Sequence, residues 1–313
     1  MKKFKSKEIF AKVIAFAMTV VLASCTATEK DDTPWVALFD GETLNGWSVI
    51  GGKASYAVKD GTIVGTSTLN TPNTFLRSDK IYGDFIFEVE YKVDPKLNSG
   101  IQIRSNSIPS YRNGRVHGYQ IEIDPSERAW SAGIYDESRR GWLNPLTKNP
   151  AAQKAFKQND WNHYRIEAIG DTLKTWINGV PASYLIDDMT ATGFIGLQVH
   201  GIGKDEKRKG TQVIWKNVKI ITEDVSKYSK ATTISPIITK NNLTDNEIKG
   251  GWKLLFDGES AKGWRGAKLD KFPTGGWEIN DGELSVLASG GHESTAGGDI
   301  VTVDTPLTVK EFA

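Results

Sequence analysis

Three short segments combine strand-like apolar spacing with side chains able to move protons or hold hydroxyls. In Gly100-Ile101-Gln102-Ile103-Arg104, the isoleucines take one face and Gln102 and Arg104 take the other. In Tyr119-Gln120-Ile121-Glu122-Ile123-Asp124, the second face carries Gln120, Glu122 and Asp124, and in Gly196-Leu197-Gln198-Val199-His200 it carries Gln198 and His200. Successive strand side chains point to opposite sides, so each polar set shares one side of its strand. An ordinary wet face shows Lys, Glu, Thr and Ser. Gln, Arg, Glu, Asp and His together instead suit hydroxyl recognition and proton transfer, provided the three strands are neighbours.

Between the second and third segments runs Trp130-Ser-Ala-Gly-Ile-Tyr135-Asp-Glu137-Ser-Arg139-Arg140-Gly-Trp142. Its aromatics, acids and arginines read as a strand end and a loop over a cleft. Glu137 is a further proton carrier, Tyr135 and Trp142 are candidate stacking surfaces, and Arg140 is a candidate binding residue. His117, just before the acidic strand, is expected to reach the same cleft.

Elements must position these groups, and the elements are strands. Residues 84–93 alternate, with Phe85, Phe87, Val89, Tyr91 and Val93 on one face and Glu88, Glu90 and Lys92 on the other. Residues 164–169 and 173–177 form a hairpin through Gly170-Asp171, Asn178-Gly179 makes the next turn, and residues 213–220 close the domain. One helix is expected, over Pro150 to Lys157. The fold class is all-β: an antiparallel β-sandwich of the jelly-roll type over residues 35–221. Residues 222–250 are polar and aperiodic and read as a linker.

A repeat supports that boundary. Leu38-Phe-Asp-Gly-Glu-Thr-Leu-Asn-Gly-Trp47 returns as Leu255-Phe-Asp-Gly-Glu-Ser-Ala-Lys-Gly-Trp264. A second echo, Tyr56 to Ile63, returns as Trp277 to Leu284. Residues 251–313 read as the truncated start of a second copy, too short to close a core of two facing sheets.

The N-terminus carries an export signal. Lys2, Lys3, Lys5 and Lys7 precede an apolar stretch from Ile9 to Leu22, too short to span a bilayer comfortably. Leu22-Ala-Ser-Cys25 matches a lipobox, so residues 1–24 are expected to be removed, Cys25 lipidated, and residues 25–34 left as a tether. The expected location is the outer membrane of a Gram-negative bacterium, facing the periplasm or the surface, with membrane contact through the lipid alone. Cys25 is the one cysteine, so neither a disulfide nor a cysteine nucleophile is expected. Removal of residues 1–24 takes the basic count from 39 to 34 and the acidic count from 38 to 37, a net charge of −3. That balance gives no support for nucleic-acid binding, which would want a basic stripe. Ten tryptophans suit a secreted β domain, mostly as core filling and partly as sugar-stacking surfaces.

The ordered blocks LFDGETLNGW, NSGIQIRS, GYQIEID, SAGIYDE, WNHYRIEAIGDTLKTWINGVP, GFIGLQVHG and VIWKNVKI resemble the 3-keto-disaccharide hydrolase domain, a concanavalin-like, laminarinase-like jelly roll. The likeness runs from Trp35 to Ile220, and its opening blocks recur from Trp252. Many members carry Glu then Gln on the acidic strand; here the order is Gln120, Glu122, Asp124. The resemblance implies a carbohydrate substrate oxidised to a ketone at C3, which acidifies the C2 hydrogen. The glycosidic bond then leaves by elimination and water adds back. On that basis His200 or Glu122 is the expected base, Arg104 steadies the enolate, and Asp124 or Glu137 serves the leaving group. Gln102, Gln120 and Gln198 hold hydroxyls, and Trp142 or Tyr135 stacks on a ring. A divalent metal held by His200 and Glu122 is an alternative way to steady the enolate.

Two other readings compete. Glu122-Ile-Asp124-Pro-Ser-Glu127 has the E-x-D-x-x-E spacing of laminarinase-like glycosidases, although Pro125 argues that the strand ends before Glu127. A carbohydrate-binding lipoprotein without chemistry is the other.

Overall fold

Strand β6 (Phe85–Val93) shows how the sequence pattern becomes a layer. Its odd-numbered residues are buried in the main core, while Glu88, Glu90 and Lys92 are only partly covered. The computed structural model describes residues 33–239, 241–243, 245–280, 282–288 and 298–303. The expected signal peptide, lipidated Cys25 and most of the tether lie outside the described residues.

Before β6 the chain lays down β1 (Val36–Ala37), β2 (Trp47–Gly51), β3 (Ser55–Lys59), β4 (Thr62–Thr66) and β5 (Thr74–Ser78). After it come β7 (Ser99–Asn106), β8 (His117–Ile123), β9 (Ile134–Glu137) and β10 (Gly141–Asn144). A short helix α1 (Pro150–Ala155) precedes β11 (Asn162–Ile169), β12 (Thr172–Ile177), β13 (Val180–Ile186), β14 (Phe194–Val199) and β15 (Gln212–Ile221). One sheet has the order β13-β12-β11-β6-β15-β4-β3, with β1 also on β15; the other has the order β10-β9-β8-β7-β14-β5-β2. Every pairing among these strands is antiparallel. The inner faces meet in one core that includes Phe85, Tyr91, Ile101, Tyr119, Ile121, Tyr164, Leu197 and Trp215. This is the all-β, antiparallel sandwich of jelly-roll type that the alternation implies. The helix expected in the 150s is present and is capped by Asn149, whose side chain accepts from Ala152 N at 3.1 Å.

The segment after β15 departs from an aperiodic linker. Helix α2 (Val225–Tyr228) buries Val225 against Ile86 and Ile221 on the outer face of β6 and β15. The chain then crosses buried Glu167, which accepts from Ser229 Oγ at 2.7 Å and from Lys230 N at 2.9 Å. Strand β16 (Ile237–Ile238) adds to the edge of the sheet in parallel with β13. Thr239 then hydrogen-bonds through its hydroxyl to the Asp187 carboxylate. Specific partners for backbone and hydroxyls thus order a stretch that has no hydrophobic period.

Beyond helix α3 (Asp245–Lys249), β17 (Trp264–Gly266) pairs with β20 (Ile300–Thr302) and β18 (Trp277–Asn280) with β19 (Glu283–Val286). The turn before β17 carries the same bonds as the one before β2. Asp257 accepts from Glu259 N and Ser260 N at 2.9 and 2.7 Å, and Asp40 from Glu42 N and Thr43 N at 2.8 and 2.7 Å. The indoles of Trp264 and Trp47 donate to Leu255 O and Leu38 O, each at 2.7 Å. Trp47 is buried, whereas Trp252, Leu254, Leu255 and Val286 are exposed.

Candidate functional site

The three polar strands are neighbours. β8, β7 and β14 lie side by side, in the register Gln120↔Gln102↔Gly196 and Glu122↔Gly100. Gln102, Gln120 and Gln198 form one connected set of amides. Gln120 Oε1 accepts from Gln102 Nε2 at 2.8 Å and from Gln198 Nε2 at 2.7 Å, and Gln120 Nε2 donates to Glu122 Oε2 at 2.7 Å. Ser105 Oγ closes one end on Gln102 Oε1 at 2.6 Å. Gly100 makes the arrangement fit: a Cβ there would stand 2.6 Å from Gln120 Cδ, so only a bare backbone lets Gln120 lie across β7. Gln198 is fully buried, and its Oε1 has no hydrogen-bond partner among the described residues.

Glu122 is 4 % exposed. Burial pushes its carboxyl up to about 7, against the opposing hydrogen bonds from Asn98 and Gln120; nearby Asp124 raises it further and Arg128 lowers it. Asn98 Nδ2 donates to Glu122 Oε1 at 2.6 Å, so an amide holds each carboxyl oxygen. Glu137 is a second buried carboxyl. It accepts from Ser138 Oγ at 3.2 Å and Asn73 Nδ2 at 3.4 Å, and burial raises it too. Between the two acids stands Tyr135. Burial raises its phenol first, and the charges of Glu137 and then Glu122 add to that, so both acids act on one hydroxyl.

Next to this strip is an aromatic shelf. Trp142 meets Trp130 and Tyr135 edge-on, at centroid distances of 4.7 and 5.2 Å. The Arg128 guanidinium stacks 4.6 Å from the Trp130 ring and 4.9 Å from Trp142, while its Nη2 lies 3.5 Å from Glu122 Oε1.

Other expected members stand elsewhere. The expectation that Arg104 follows Gln102 onto the outer face is overturned. It has φ +44° at the bulge where the β7–β8 register shifts, so alternation fails there. Its guanidinium donates to Gly83 O, Gly170 O and Asp84 Oδ1 at 2.9, 2.6 and 2.9 Å. Arg140 is likewise no part of the cleft: it pairs with Asp136 at 2.7 Å and Asp187 at 2.7 Å in a buried cluster that Tyr119 and Thr239 complete. Asp124 is buried but committed to its own loop, accepting from Ser126 N and Oγ, Arg128 Nε and Trp130 N at 3.1, 2.6, 2.8 and 3.3 Å. Glu127 lies beyond the end of β8 and is exposed, so the E-x-D-x-x-E spacing does not gather three acids.

His117 packs on Tyr111 at 4.1 Å and bonds to Arg115 O at 2.9 Å, outside the amide set. His200 Nδ1 bonds to Gly201 O at 2.7 Å, and burial lowers its pKa. Neither a hydrogen bond nor an ion pair joins His200 to Glu122. Both Glu122 oxygens are occupied by amide donors, which does not fit a cation held by that pair, and no cluster of three metal-ligating side chains forms among the described residues.

The sequence reading passed over Asn98, Asn73, Arg128 and Ser105. Asn98 shares the spacing of Gly100 and Gln102 but precedes the strand, and Ser105 reaches Gln102 only because the bulge at Arg104 breaks the alternation.

No curated protein matches the chain. Among solved structures, a Parabacteroides distasonis protein with a provisional glycosyl hydrolase designation is 19% identical, with a TM-score of 0.45, covering 61% of this chain and 94% of its own. A galectin-like protein of unknown function from Bacillus subtilis is 11% identical, with a TM-score of 0.42, covering 57% of this chain and 90% of its own. The carbohydrate-binding module CBM66 from Bacillus subtilis is 16% identical, with a TM-score of 0.37, covering 55% of this chain and 93% of its own. At these scores the three likenesses carry no functional argument. The family model for the 3-keto-alpha-glucoside-1,2-lyase-like domain matches residues 34–221, which contain both sheets and every residue of the amide set. The chain belongs to the 3-keto-alpha-glucoside-1,2-lyase-like domain family.

Proposed function

We propose that residues 34–221 cleave 3-keto-glycosides by elimination and rehydration. One observation carries this reading: a buried Glu122 carboxyl, held near pKa 7 by burial, ends a row of amides whose far member, Gln198, keeps a buried acceptor that no described residue meets. A base with that pKa suits abstraction of a proton acidified by a neighbouring ketone at neutral pH. An orphan carbonyl oxygen in a buried site is costly unless a ligand donor meets it, and a sugar hydroxyl is such a donor.

Glu122 takes the C2 proton, and the electron pair moves into the C2–C3–O unit as an enolate. The enolate collapses to expel the C1 oxygen of the leaving group. Glu137, raised by burial, delivers the proton that this oxygen needs. Water adds to the resulting double bond and restores the 3-keto sugar. Gln102, Gln120 and Gln198 fix hydroxyls, and Trp142 with Tyr135 offers the ring-stacking shelf. Neither nucleic acid nor a membrane surface is a partner in this reading; the lipid on Cys25 anchors the domain to the outer membrane, facing the periplasm or the surface.

The test is product release from a chromogenic 3-keto-glucoside beside the unoxidised glucoside. Cleavage of the keto form alone supports the proposal. Cleavage of both points to a conventional glycosidase, and binding without cleavage to a carbohydrate-binding role.

A further inference from the structure

Arg77 faces the same side of the sheet, and among the described residues its buried Nε meets no acceptor. Arg77, on β5, lies in the cross-strand row Ser48–Arg77–Gly196–Gln102–Gln120–Tyr135–Trp142, which crosses the sheet on its outer face. Its neighbours in β5 confirm the side: Leu76 belongs to the main core, and Phe75 to a separate cluster with Phe194, Val116 and Ile50. The guanidinium sits 5.9 Å from the centre of the Phe194 ring, and the buried Nε has no hydrogen-bond partner among the described residues. None of the described carboxylates pairs with it. Asp79, two residues along the same face, is engaged by Ser48 Oγ at 2.5 Å.

An arginine in this state is prepared for an anion. Its donors form a planar fork, and a ring beneath restricts where the fork points. Leaving a buried guanidinium N–H unmet costs more than leaving an exposed one, so the site gains when an acceptor arrives. The fork fits two oxygens of one carboxylate or sulfate.

Placement decides what the anion belongs to. Arg77 and Glu122 are three strands apart, roughly 14 Å along the sheet at the usual strand spacing of about 4.8 Å. Phe194 belongs to β14, one of the two strands between theirs, and its ring lies over Gly196, where an added Cβ would meet it at 3.3 Å. The group on Arg77 is therefore a different part of the ligand from the atoms at Glu122. We infer that Arg77 is a specificity residue for an anionic substituent, a carboxylate or a sulfate ester, on a saccharide whose other end lies on the glutamine strip. This rests on the carbohydrate reading of that strip.

The experiment is binding of the full chain and its R77M and R77K variants to an array of neutral, uronate-bearing and sulfated glycans. Wild type is expected to prefer an acidic glycan over its neutral counterpart by about ten- to a hundredfold. That preference should fall with salt, persist in part in R77K and vanish in R77M. Whether uronate or sulfate is retained identifies the anion. A wild-type chain that binds neutral and acidic glycans equally, or an R77M variant that keeps the preference, overturns the inference alone. A wild-type chain that binds no glycan overturns the carbohydrate reading with it.

Discussion

Gln120 Nε2 donates to Glu122 Oε2 across 2.7 Å, and the two share one face of β8 because a single residue separates them. That bond ties the Glu122 carboxyl to three glutamines on three strands. It also means that Glu122 ionises into a site already furnished with amide donors, so its proton can leave without rearrangement of the sheet.

The first expectation concerns pH. Glu122 has a folded pKa of about 7, above the ordinary value of 4.5. The folded state therefore holds this proton more tightly than the unfolded chain does. Stability from this group is full below about 4.5 and declines as pH rises towards 7. E122Q removes the dependence, with Asn98 turning its amide to accept. The variant's gain in Tm over wild type should be larger at pH 8 than at pH 5. Equal differences at both values would place the carboxyl in a wetter setting.

Arg104 is a structural residue, and its loss should show as instability. R104A removes three hydrogen bonds and leaves the carbonyls of Gly83 and Gly170 without that donor, at a cost of about 2–4 kcal/mol. Urea denaturation measures it. Glycan affinity of the remaining folded fraction should match wild type, which a cleft residue would not allow.

Asp187 joins the segment after β15 to the sandwich through Arg140 and Thr239. D187A leaves Arg140 without this buried partner, which should cost about 3–5 kcal/mol. It also removes one of the bonds that hold Thr239, leaving those to Ile186 O, so limited proteolysis should show faster cutting within residues 222–239. The Asp187 carboxyl lies below its ordinary value despite burial, because Arg140 favours its charged form. Its stabilisation is present at neutral pH and is lost as acid protonates it.

Trp142 should contribute binding without touching proton transfer. W142A is expected to weaken glycan affinity about tenfold through loss of ring contact. The pH midpoint of turnover should stay where Glu122 sets it. A shifted midpoint would show that the shelf acts on the carboxyl.

Much of this was legible in the chain. Alternation in residues 84–93 and in the three polar strands gives the sandwich and puts Gln102, Gln120, Glu122 and Gln198 each on the outer side of its strand, because the pleat has period two; long-range pairing, which spacing does not reveal, makes those strands neighbours. Arg104 was misread for the same reason: a positive φ in a bulge breaks that period, and nothing in Ile103-Arg104-Ser105 announces the bulge. Arg140 and Asp124 carry the residue types of a site, but Arg140 pairs with Asp187 far along the chain, and the loop that follows Asp124 takes up its carboxylate. Asn98 and Arg128 were missed because loops present them, where spacing fixes no direction. The order in residues 222–239 was hidden because it rests on hydrogen bonds to Glu167 and Asp187 rather than on an apolar pattern.

The most direct measurement is the pH profile of chromogenic 3-keto-glucoside cleavage by wild type and E122Q, with binding followed in parallel. Wild-type turnover is expected to rise through a midpoint near 7 as Glu122 ionises, and E122Q to bind without cleaving. Undiminished turnover by E122Q, or cleavage of the unoxidised glucoside at a comparable rate, would contradict it.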